Sequence, residues 1–241
     1  MYEIDALRGI IANARRVVFF GGAGVSTNSG IPDFRGTGGL YTRESSTDDP
    51  GTILRTSYLL HNPEDFYRYY RANMLYPDAA PNPAHFALAE LERMGKLTAV
   101  ITQNIDGLHQ AAGSRTVFEL HGSVHRNYCV RCGKRHDLPY ILQTEGVPRC
   151  SACGALVRPD VVMFGENLDH RAFCGAEEAV YEADVMIVGG TSLTVYPAAS
   201  LVEAFAGDHL IIINKTPTPM DANAEFVLRE PISEVLYRLI P

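Results

Sequence analysis

The residues best suited to chemistry lie between Ile101 and Gly122, in ITQNIDGLHQAAGSRTVFELHG, where Gln103, Asn104, Asp106, His109 and His121 gather around two short apolar runs. Amides, a carboxylate and imidazoles at strand ends can orient a hydroxylated ligand and move a proton near neutral pH. On spacing alone His121 is better read as a core histidine following a strand. A second set is Cys129-x-x-Cys132 and, seventeen residues later, Cys150-x-x-Cys153. This is the spacing of a four-cysteine zinc site, and four thiolates close a tetrahedral shell, leaving no position for a reactive water. The metal is therefore expected to be structural. Two disulfides are the alternative, disfavoured where thiols stay reduced. Cys174 is left over and reads as a small buried hydrophobe.

A third candidate is the glycine-rich stretch after VVFF at 17–20, reading GGAGVSTNSGIPDFRG. Glycines between a strand and a helical turn let backbone N–H groups close on a pyrophosphate. Gly22 and Gly24 fit the first two positions of such a fingerprint, but Thr27 stands where the third glycine belongs. Alone, the stretch leaves dinucleotide binding level with a tight turn. Dehydrogenases of this kind place an acid ~20 residues further on to hold a ribose. Here that distance reaches Glu44 and Ser45, with no strand before them, so a bound dinucleotide would be held differently.

These groups must be positioned by an α/β framework. TAVIT (98–102), VFEL (117–120), DVMIVG (184–189), HLIIIN (209–214) and EFVLR (225–229) join VVFF as six candidate strands. Several are apolar throughout, as in a parallel sheet covered on both faces. The expected fold is a Rossmann-like doubly wound sheet with a smaller inserted domain. A helix opens the chain through Ile4, Leu7, Ile10 and Ile11, and another runs through Ala84, Leu88 and Leu91 toward Gly95. An aromatic helical segment spans 58–76, preceded by a polar loop at 37–51 of the length expected of a lid. The expected division is a discontinuous Rossmann-like domain of residues 1–36, 85–122 and 155–241, a lid loop and helical module at 37–84, and a zinc ribbon at 123–154.

The 241 residues are 46% apolar and 20% charged, with a net charge of −7, which excludes a disordered chain and disfavours wholesale binding to a polyanion. The ribbon is a local exception, with five Lys/Arg (Arg126, Arg131, Lys134, Arg135, Arg149) against two acids between Ser123 and Cys150. No apolar run approaches the ~20 residues of a membrane helix. The N-terminal stretch lacks the apolar core of a signal peptide, so a cytoplasmic location is expected.

In order along the chain, GAGVSTNSGIPDFRG (22–36), TQNIDGLHQAAG (102–113), ELHG (119–122), the paired cysteines, RPDVVMFGE (158–166), GTSLTVYPA (190–198) and INK (213–215) resemble the successive motifs of the sirtuins, NAD-dependent protein deacylases. The resemblance implies a Rossmann-like domain and a small zinc-ribbon and helical domain, with NAD and an acyl-lysine peptide meeting between them. In that family the acyl oxygen displaces nicotinamide from NAD. A histidine then deprotonates a ribose hydroxyl, and the products are free lysine and O-acyl-ADP-ribose.

Carried over, the resemblance makes His121 the general base, with Asn104 orienting the ribose or a water and Gln103 bonding ribose hydroxyls. Asp106 would accept from the nicotinamide amide, with Ile105 beside it in the cofactor site. Ala23, Gly24 and Thr27 would approach the phosphates, while Asp33, Phe34 and Arg35 line the nicotinamide and ribose region. Gly190, Thr191 and Ser192 form the second phosphate contact, Asn214 and Lys215 meet the adenosine ribose, and Ile232 covers adenine. Val161, Val162, Phe164, Gly165 and Glu166 would take the peptide as an added strand, Val162 and Phe164 forming an apolar tunnel.

Sirtuins preferring acidic acyl groups carry Tyr-x-x-Arg in the helical module. Here the match is Tyr67-x-x-Tyr70 with Arg71 one position late, which predicts deacetylation over desuccinylation. The implied partners are acetyl-lysine proteins or peptides, with no membrane and no nucleic acid expected, and the implied state is a monomer. Two other functions fit parts of the sequence: an ADP-ribosyltransferase using the same NAD cleavage, and a zinc-ribbon nucleic-acid binder.

Overall fold

The computed structural model describes residues 2–36, 38–42 and 49–240. Of the expected lid loop, residue 37 and residues 43–48, which include Glu44 and Ser45, lie outside the described residues. Among the described residues nine strands follow in chain order: β1 (Val17–Gly21), β2 (Leu97–Thr102), β3 (Val117–Glu119), β4 (Gly122–Cys129), β5 (Arg135–Asp137), β6 (Val157–Val161), β7 (Val185–Gly189), β8 (His209–Ile213) and β9 (Phe226–Leu228).

Six of them form a parallel sheet in the order β3-β2-β1-β7-β8-β9, so all six apolar runs become its strands. Side chains alternate between its faces. Val17 and Phe19 join the core under helices Tyr2–Asn13, Pro83–Arg93 and Ile232–Leu239. Val18 and Phe20 join the opposite core, under His170–Glu182. Both phenylalanines are fully buried, and truncating a buried phenylalanine to alanine typically costs about 3–5 kcal/mol.

The strand order reverses between β1 and β7. Loops leaving the carboxyl ends of two such strands diverge and leave a crevice, the usual ligand position in open α/β sheets. Here those ends are Gly21 and Gly189, so 22–36 and 190–197 flank the crevice.

A second sheet, β5-β4-β6, is antiparallel. Val157–Val161, assigned from sequence to the large domain, pairs with β4 instead, extending the small sheet beyond residue 154. Cys129 ends β4 and Cys150-Cys153 lies just before β6, and the clustering of their sulfurs within 4.8 Å sets β6 beside β4. The aromatic segment divides into helices Thr56–His61 and Pro63–Asn73 at Asn62-Pro63, because proline lacks the N–H that would continue the first helix. Phe66, Tyr67 and Tyr70 pack there in a core shared with Cys129, Cys150 and Val157. Among the described residues, no helix is long and apolar enough to cross a membrane.

Candidate active site and metal centre

A cavity of about 880 Å³ opens at the carboxyl ends of β1 and β7. Its wall contains Ala23, Gly24, Thr27, Asp33, Phe34 and Arg35 from the first loop, and Gln103, Asn104, Ile105, Asp106 and His121 from the second. Gly190, Thr191, Ser192, Asn214, Lys215 and Ile232 line it as well, as do Val161, Val162, Phe164, Gly165 and Glu166. Every residue singled out for cofactor or peptide therefore faces one space; His109 does not.

Glycine is required where the two loops meet. Gly24 N–H donates to the Gly190 carbonyl at 2.8 Å, and a Cβ on Gly24 would lie 2.7 Å from Gly190 Cα. Gly190 itself has φ 61°. Thr27, in the third glycine position, turns its hydroxyl inward to the Gly24 carbonyl at 3.0 Å instead of toward a ligand.

His121 Nδ1 donates to the Gln103 carbonyl at 3.0 Å. That bond fixes the tautomer and leaves the Nε2 lone pair free for a proton. Burial lowers its pKa from 6.5, against the opposing pull of the Gln103 carbonyl. Gln103 Nε2 reaches Thr191 Oγ1 at 3.2 Å, joining the two phosphate-side loops. Asn214 Nδ2 donates to the Thr216 carbonyl at 2.8 Å, and Ile232 packs against Gly189.

Beneath the cavity lies a network that sequence reasoning missed. Ser26 Oγ donates to Asp106 Oδ2 at 2.7 Å and accepts from Asn104 Nδ2 at 3.0 Å. His85 Nδ1 accepts from the Asn82 backbone at 3.2 Å, so its Nε2 carries the proton facing Ser26 Oγ at 3.5 Å. The serine hydroxyl thus uses its donor and both acceptor sites. Asn82 and His85 also form the capping box of the helix Pro83–Arg93, with the Asn82 side chain accepting from Ala84 N–H at 2.9 Å. Burial raises the Asp106 pKa, opposed by Leu108 N–H and Ser26.

His85 and His109 lie with ring centroids 4.8 Å apart. Burial holds His85 down to about 4, and burial together with His85 holds His109 down to about 3. Unfolded histidines take up protons below about 6.5, whereas this pair stays neutral until far lower pH. The unfolded chain therefore binds more protons across that window, and stability falls with pH from about 6.5 toward 3. Urea unfolding midpoints between pH 7 and 4 should drop steadily, and His85→Gln should flatten the decline. An unchanged slope in that variant would contradict this account.

In the peptide-side loop the Glu166 carboxylate pairs with Arg158 at 2.7 and 2.9 Å and accepts from Met163 N–H at 2.9 Å and from the Thr56 hydroxyl, leaving the loop's backbone to meet a peptide. Burial pulls its pKa up, but these partners outweigh it and hold the carboxyl at about 2. Val162 N–H already donates to the His121 carbonyl at 3.0 Å and Phe164 N–H to the Leu54 carbonyl at 2.9 Å. Gly165, at φ 90°, is where the loop turns.

The four cysteine sulfurs lie within 4.8 Å of one another, with closest separations of 3.4 and 3.6 Å. A tetrahedron with Zn–S ~2.3 Å has edges of ~3.8 Å, so the set fits one structural zinc. Arg131 N–H and Ala152 N–H each point at a knuckle sulfur at 3.4 Å, as suits thiolate ligands. Cys174 is exposed, not buried as expected.

Residues 22–197 match the model of the Sir2 family. The chain is 51% identical over 240 residues to the NAD-dependent protein deacetylase of Clostridium perfringens, covering 99% of this chain and 98% of that protein. It is 50% identical, with the same coverage, to that of Clostridium acetobutylicum. A solved Sir2 structure with a deacetylated p53 peptide and 3'-O-acetyl ADP-ribose superposes with TM-score 0.90 at 40% identity, covering 98% of this chain and 97% of that one. A Sir2 structure with p53 peptide and NAD+ gives TM-score 0.87 at 40% identity, again covering 98% and 97%.

Proposed function

The chain belongs to the Sir2 family, and from that premise we infer that it removes acetyl groups from protein lysines, consuming NAD and releasing nicotinamide, O-acetyl-ADP-ribose and free lysine. The observation that carries this is the convergence of two phosphate-side glycine loops, the Gln103–Asp106 segment and the Val161–Glu166 loop on one cavity holding a histidine with a free Nε2.

NAD supplies the acceptor ribose and the nicotinamide leaving group. Ala23, Gly24, Thr27, Gly190, Thr191 and Ser192 hold its phosphates, Thr27 through its backbone because its hydroxyl is engaged. Asp33, Phe34, Arg35, Ile105 and Asp106 bound the nicotinamide end; Asn214, Lys215 and Ile232 bound the adenosine. Gln103 and Asn104 position the ribose, and His121 Nε2 takes a hydroxyl proton. Gly165 offers backbone pairing to the peptide, while Val162 and Phe164 wall the lysine stem. Glu166 acts indirectly, holding this loop in shape through Arg158.

The small domain, on this reading, comprises the helical module and a ribbon reaching to residue 161. A four-thiol zinc site suits a reducing cytoplasm. Nucleic-acid binding is not supported by the ribbon's charge, since Arg126 pairs with Glu119 and Asp160, and Arg135 also faces Asp160.

An acetylated peptide incubated with and without NAD tests the reading by mass spectrometry. Loss of the acetyl mass only with NAD is expected. Loss without NAD, or transfer of labelled ADP-ribose to protein without release of free lysine, would reject it.

Acyl preference follows from the helical module. Tyr67 hydroxyl donates to the Val157 carbonyl, Tyr70 is buried, and Arg71 donates to the Ile141 and Thr144 carbonyls at 3.1 and 2.8 Å. No guanidinium from this helix faces the cavity. A buried carboxylate without a cationic partner is strongly disfavoured. With one peptide in acetyl and succinyl forms, kcat/KM for acetyl should be higher by at least ~10-fold; a faster succinyl reaction would overturn the assignment.

A further inference from the structure

We propose that His125 is a positioning residue for the nicotinamide end of the cavity, tethering the Asp106-Gly107 turn to ribbon strand β4. The proposal rests on the assignment of Asp106 to the nicotinamide carboxamide. His125 Nε2 donates to the Asp106 carbonyl at 2.9 Å, and the neighbouring Val124 N–H donates to the Ile105 carbonyl at 3.0 Å. Both bonds cross from β4 to the segment that carries the carboxylate.

The ring also lies tightly on Gly107. A Cβ there would sit 2.8 Å from both Cδ2 and Nε2 of His125, and Gly107 has φ 73°. The turn therefore leaves room for this imidazole and for no side chain of its own. His125 and Asp106 both line the cavity.

The two ends of Asp106 are thus held from different sides. Its carboxylate oxygens are fixed by Leu108 N–H at 2.9 Å and Ser26 at 2.7 Å, both beside the large sheet. Its main-chain carbonyl is fixed by β4, which ends at the zinc-ligand position Cys129. Through His125, the seating of the ribbon sets the angle at which the carboxylate meets the carboxamide. The ring contributes a single N–H donor here, so a glutamine can replace it and a phenylalanine cannot.

The test compares full-length wild type, His125→Phe, His125→Gln and Asp106→Asn, measuring KM for NAD, KM for acetylated peptide and inhibition by added nicotinamide, with thermal unfolding as the check on folding. Loss of one such hydrogen bond predicts, for His125→Phe, an NAD KM and a nicotinamide inhibition constant both raised roughly five- to tenfold, with peptide KM unchanged. His125→Gln should stay within about twofold of wild type. The proposal fails if His125→Phe behaves as wild type, if His125→Gln is as impaired as His125→Phe, or if peptide KM rises alongside NAD KM. Unchanged nicotinamide inhibition in Asp106→Asn would reject the Asp106 assignment and this inference with it. A shift in Asp106→Asn without one in His125→Phe would reject His125 alone. Should His125→Phe unfold, His125→Ala takes its place with the same expected shifts.

Discussion

Replacing His121 by alanine is expected to lower the deacetylation rate by roughly two to four orders of magnitude, the usual contribution of a positioned general base. The size follows from how little else in the cavity can take its place. Its Nδ1 proton is committed to the Gln103 carbonyl, so Nε2 is the nitrogen offered to the cavity. The nearby carboxylate Asp106 is already engaged by Ser26 and Leu108. The loss should be selective: in the mechanism proposed above His121 acts after nicotinamide leaves, so exchange of labelled nicotinamide into NAD, in the presence of acetylated peptide, should be reduced far less than deacetylation. Equal losses in both reactions would place His121 in the first step and contradict the assignment. The wild-type pH profile carries the same argument. The base works when neutral, and burial lowers its pKa. The acidic limb of kcat/KM should therefore lie below the ~6.5 of a free imidazole.

Stripping the zinc should abolish activity and unfold the ribbon. Structural zinc sites in small domains are worth ~10–16 kcal/mol of apparent binding free energy, as much as or more than the ~5–15 kcal/mol that holds a whole domain folded. Cys129 and Cys150 are buried in the same core as Tyr67, Tyr70, Val124 and Val157. Leaving four unligated thiols there removes what joins the two knuckles. Cys132→Ala is the sharper variant, because its exposed side chain contributes little packing of its own. Chelation should release a single zinc per chain, with activity lost in parallel and recovered on adding zinc back. Full activity in the zinc-free protein would show that the ribbon holds its shape without metal.

How much of this was legible before any coordinates can be judged from particular residues. The sheet was legible because strands buried on both faces must be apolar throughout, as in Val17–Gly21 and Val185–Gly189. The zinc set was legible because knuckle spacing is dictated by tetrahedral geometry. The site residues were assigned largely by resemblance, since an asparagine, an aspartate or a serine after a strand is as easily a cap or turn. What stayed hidden depends on contacts between distant segments. Ser26 meets Asn104, Asp106 and His85 only once β1 and β2 are paired. The ion pair between Glu166 and Arg158, eight residues earlier, forms only when the loop folds back on β6. Val157–Val161 read as part of the large domain because an apolar strand does not announce which sheet it joins.

The most direct test of the central claim is the product balance of a single reaction: wild-type protein, acetylated peptide and NAD, with nicotinamide, free-lysine peptide and O-acetyl-ADP-ribose each quantified by mass spectrometry. The account predicts that the three appear in equal amounts, matching the NAD consumed, and that His121→Ala yields almost none of the deacetylated peptide. Free acetate released while NAD is left intact, or deacetylated peptide formed at the wild-type rate by His121→Ala, would contradict it.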